Sequence, residues 1–110
     1  MAELSVGTLA KAMIGAAKGS FNRDWPVVKE FAEGELKKLA QTLVQIGRLT
    51  ALGRVNHAEA SVLLEMQKNT ARAVMLALQG MSLLMVEQAI NAALGAVRDL
   101  VNGAIGFALV

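Results

Sequence analysis

The chain has no cysteine and no tyrosine, and it holds one histidine and one proline in 110 residues. Without cysteine there is no disulfide framework, no thiol catalysis and no Cys-based zinc site. A single histidine, His57, rules out multi-histidine metal sites and stands where a helix begins, a position usual for a solvated side chain. Aromatics make up 4% of the residues: Phe21, Trp25, Phe31 and Phe107. The scattered lysines and arginines therefore have no stacking platform beside them, and no specific nucleic-acid signal is present. Charged residues reach only 18%, and the net charge of +2 is too slight to mark a polyanion binder. What fills the chain instead is Ala, Leu, Val and Met, with 55% hydrophobic residues overall. Such a composition excludes disorder.

The start, Met1-Ala-Glu-Leu-Ser, lacks a basic segment before an apolar core, so no signal peptide is expected and synthesis is read as cytoplasmic. Strand-like alternation never persists, and helix formers dominate. The pattern predicts one all-α domain over 1–110, with helices at about 4–18, 25–52 and 57–102. In the first, Val6, Leu9, Ala10, Met13, Ile14 and Ala17 share a face, and Gly19 is placed to stop it. Asp24 is the expected N-cap of the second, with Pro26 in its first turn. Ala32, Leu36, Leu39, Leu43 and Ile46 then form a coiled-coil-like seam, with Lys29, Glu30, Glu33, Lys37 and Lys38 on the opposite side; Glu35→Gln on this charged helix is expected to leave assembly unchanged. Gly53 ends this helix, and Asn56 with Glu59 fits a capping box for the third.

Nothing between 57 and 102 forbids helix, which would make the third about 46 residues and ~69 Å long. The second is only ~42 Å. The expected architecture is thus a helical hairpin with a long C-terminal helix and a short N-terminal one. The unpaired far end requires the first helix, a neighbouring subunit, or a fold-back at Gly80 or Gly95. Its polar residues run in one narrow stripe, with Ser61, Glu65, Lys68, Arg72 and Gln79 continued by Glu87, Asn91, Arg98 and Asn102. A helix so apolar elsewhere must be surrounded, which favours packing in an oligomeric assembly. The charge-free segment 100–110 is likewise expected to lie against something.

The longest charge-free run before Glu87 is 73–86, too short for a span; reading on to Val97 reaches spanning length with an acid at the midpoint. Small residues at Ala92, Gly95, Ala96 and Gly103 suit a close helix–helix contact. Glu87 is expected to be partnered by another helix or subunit, since Arg98 lies ~16 Å along the same helix. Met66, Met75, Met81 and Met85 read as core filling rather than a groove lining. No Glu-x-x-His, phosphate loop or catalytic triad occurs, so neither enzyme activity nor cofactor is expected. The Trp-x-Gly turn of small helical-hairpin secretion substrates is also missing, the turn being Leu52-Gly-Arg-Val-Asn56.

These features point to a self-assembling homo-oligomeric structural subunit of a filament, tube, shell, virion or secretion component. Its expected interface includes Glu87, Ala92, Gly95, Ala96, Arg98 and Gly103. The alternative is a membrane-active or lipid-surface helical protein, such as a pore-former, a lysis-type protein or an amphipathic coat.

Overall fold

The computed structural model describes residues 4–78 and 80–110. Residues 1–3, part of the leader reading, and Gln79 of the polar stripe lie outside them. The described residues form an all-α fold of four α-helices and one short 3-10 turn: α1 (Val6–Phe21), the turn (Asn22–Asp24), α2 (Trp25–Ala51), α3 (His57–Leu76) and α4 (Leu83–Ile105). The molecule measures 42 × 22 × 18 Å, about one length of α2 along its long axis.

Residues 57–102 are not one helix. The chain leaves helix after Leu76, turns through Gly80 at φ +86° and restarts at Leu83. Ser82 caps the new helix, its hydroxyl accepting from the Met85 N–H at 3.1 Å. The break forgoes a few backbone hydrogen bonds worth about 1 kcal/mol each net. In exchange α4 buries Val86, Ala89, Ile90, Ala93, Leu94, Val97, Val101 and Ile105 within its own chain. Each larger side chain among them contributes roughly 1.5–3 kcal/mol. Burial wins.

Other expected elements stand. The α2 seam is buried from Ala32 through Ile46, and the α1 face buries Leu9, Ala10, Met13 and Ala17. Asn56 and Glu59 form the capping box, with bonds of 2.8 and 3.0 Å. Two local expectations fail. Helix α1 runs through Gly19 to Phe21, because burying Phe21 outweighs the ~1 kcal/mol cost of a helical glycine. Asp24 holds the N-cap position of α2 with helical dihedrals and makes no side-chain cap bond, since the preceding 3-10 turn feeds straight into the helix.

Helix α1 packs most extensively on α4 and next on α2, while α3 packs on α2 and only sparsely on α4. Helix α3 is consequently the least buried, placing Ala60, Leu64, Ala71 and Met75 in the core. The methionines divide: Met75 is buried, Met81 and Met85 are half-buried, and Met66 is exposed. The charge-free C-terminal segment packs on its own chain. The Asn102 side chain accepts from the Leu109 and Val110 N–H groups at 2.9 and 3.0 Å and donates to the Val110 carbonyl at 3.2 Å. Phe107 stacks on His57 at 4.6 Å between ring centroids.

Candidate functional site

The fold-back has an electrostatic consequence. It lays the two halves of the polar stripe against each other, Ser61, Glu65 and Lys68 on α3 facing Asn91 and Arg98 on α4 across a cleft of about 300 Å3. Leu109 and Val110, held by Asn102, line part of it. Arg72 of α3 donates from Nε to Glu87 Oε1 of α4, and from Nη1 to Asn69 Oδ1 at 2.5 Å. Glu87 is therefore partnered by another helix of its own chain. Arg72 lies 15 residues earlier in the chain, and the fold-back rather than helix spacing brings it to Glu87.

The hydrogen bond from Arg72 is the main cause holding the Glu87 carboxyl below the ordinary carboxylate range, partly opposed by desolvation; the same bond raises Arg72. Because the folded-state value is depressed, the pair's stabilisation is complete at neutral pH and is lost as pH falls through and below the ordinary glutamate range. Both side chains keep a quarter to a third of their accessibility, which holds the expected contribution near 1 kcal/mol. Glu87→Gln should lower stability by about that much at pH 7. Denaturant melts of the two proteins should converge near pH 3. A constant difference at both pH values would mean that the ionised pair contributes nothing.

Ala92, Gly95, Ala96 and Gly103 lie together on the outward side of α4, with Ala92 half-buried and the other three exposed. A Cβ built on Gly95 or Gly103 meets no neighbouring atom within 4 Å. Neither glycine is held at a close contact inside the chain. Arg98 is also exposed, with Asp99 at 3.9 Å as its nearest acid.

Glu35, which stands on the charged second helix, is buried. Lys38 Nζ donates to its Oε2 at 3.1 Å, while Oε1 has no partner among the described residues. The Leu36–Leu39 seam draws its neighbour inward, because a helix 27 residues long and packed on three others presents more than one buried stripe.

Sequence periodicity missed the apolar side chains left outside. Val27, Phe31, Leu52, Val62, Met66, Leu76, Leu83, Leu84 and Leu100 are all more than a third exposed. Five of them come from the first two turns of α2, the last residue of α3 and the first two of α4. The up-and-down order of the helices puts these segments toward the same end of the bundle. Val62 and Met66, one turn apart, form a separate crest along α3.

Among the described residues no cluster of acids and histidine is suited to a metal ion, and no helix is long and apolar enough to cross a membrane. Comparison with known proteins returned no matching family, no matching curated protein and no matching solved structure.

Proposed function

We propose that this chain is a non-enzymatic, self-associating structural subunit of a larger helical complex. The observation that carries this reading is the unpaired apolar surface, seven of whose nine large side chains fall in two separate regions, the bundle end and the α3 crest. Exposed apolar patches mark interaction sites. A subunit with two such regions is suited to propagating contacts as well as to a closed pair. The outward stripe of Ala92, Gly95, Ala96 and Gly103 is open to a second molecule's helix.

A lipid-surface role is the second reading. It is favoured by the bundle end, where Val27 and Leu84 are about 70% exposed and Arg23 and Lys29 stand nearby in sequence.

Light scattering at micromolar concentration without detergent should give a species several times the 11.6 kDa chain mass. Gly95→Leu removes a helical glycine with open space beside it, so it should not lower the melting temperature of the isolated chain while it shifts that distribution. A well-behaved single-chain mass would sink the assembly reading. Flotation of the same single-chain species with anionic liposomes would establish the lipid reading in its place.

A further inference from the structure

A cleft of about 430 Å3 lies between α2 and α3, with Thr42, Ile46 and Leu49 on one wall and Leu63, Met66 and Thr70 on the other. No residue lining it carries a formal charge. Gln67 Nε2, also in its wall, is buried and has no hydrogen-bond partner among the described residues. Val62 and Met66 rise beside the cleft with 58% and 61% of their surface exposed. The face thus carries an apolar ridge, an adjoining groove and an unfilled donor.

We infer that this face pairs with the same face of a second copy of the chain. This rests on the self-association proposed above and names its surface. Two-fold pairing sets whatever lies near the axis against itself, so a formal charge there would meet its own sign. The charge-free centre meets that condition. The flanks satisfy the complementary one. Arg48 and Lys37 stand exposed on the side of α2 turned away from α3, and Glu65 stands exposed on the side of α3 turned away from α2.

A two-fold axis running along the bundle lays α2 of each copy over α3 of the other. Arg48 of each copy then meets Glu65 of the other, and does so twice. The antiparallel register read from the cleft walls, Thr42 across from Thr70 and Leu49 across from Leu63, brings Arg48 and Glu65 level to within a helical turn. The cations on the same flank already have acids beside them: Lys68 has Glu65, Arg72 has Glu87, and Arg98 across the cleft on α4 has Asp99 at 3.9 Å. Glu65 is more than half exposed and keeps free lone pairs for a second cation.

Sedimentation of the full chain and four variants tests the pairing, with far-UV circular dichroism and melting as the check on fold. Met66→Glu should weaken association by roughly tenfold or more, as expected for an unpaired charge forced into an apolar contact. Arg48→Glu and Glu65→Arg should each weaken it several-fold by setting like charges together. The double reversal Arg48→Glu/Glu65→Arg should restore it to near the native level. If the native chain associates and all four variants associate equally well, this pairing is overturned while self-association stands. A monomeric native chain overturns both. Should Met66→Glu fail to fold, the charge-reversal series decides alone, since Arg48 and Glu65 are surface residues.

Discussion

Ile90→Ala will lower stability by about 2–5 kcal/mol and the melting temperature by roughly 10–20 °C, by the same amount at every protein concentration. Ile90 is fully buried in the first half of α4, the helix most extensively packed against α1. Truncation removes three carbons' worth of burial and leaves a cavity that rigid neighbours on several helices fill only in part. The independence from concentration matters as much as the size. If α4 lay in a neighbouring subunit, the loss would grow on dilution, because folding would then be coupled to assembly. Melts across a hundredfold range of concentration separate the two. A loss under 1 kcal/mol, or one that grows on dilution, would contradict a core completed within one chain.

Gly80→Val should cost about 1–3 kcal/mol, by a different route. A Cβ at Gly80 meets nothing within 4 Å, so there is no steric clash to relieve. The cost lies in the backbone, because φ +86° is a conformation that β-branched residues rarely adopt. Gly80→Ala should show a smaller loss of the same sign. Strain there favours the alternative in which α3 and α4 join into one long helix, releasing α4 from α1. The sensitive readout is therefore the oligomer distribution alongside the melt, since a released α4 must bury its apolar face against another copy. A Gly80→Val protein with native stability and native mass would show that this turn tolerates an ordinary residue.

The two substitutions probe the difference between what was legible in the sequence and what was not. The seam Ala32–Leu36–Leu39–Leu43–Ile46, the capping box at Asn56 and Glu59, and the helix end at Gly53 could all be read directly. Each depends on side chains within a turn or two of one another, where spacing alone decides the geometry. The polar stripe from Ser61 to Asn102 was equally visible, but its meaning was not. On a continuous helix it implied one wet face and a crowd of neighbours around the rest. Folded at Gly80, it becomes two facing walls, and it brings Arg72 to Glu87. Gly80 followed by Ser82 was a readable stop-and-start signal, though a single internal glycine costs a helix only ~1 kcal/mol and does not compel a break.

The composition and periodicity of this chain determined by themselves that its fold is all-α and which stripes of α1 and α2 turn inward. Those are consequences of residue type and local spacing. The tertiary structure alone decided that α4 returns to α1 and that Glu87 is paired within its own chain. It alone decided too that Glu35 is buried and that Val27, Phe31, Val62, Met66, Leu83 and Leu84 remain outside. The reason is physical. Whether a helix breaks depends on the burial it gains at a distance set against a few local hydrogen bonds, and that burial is a property of helices meeting rather than of any one segment.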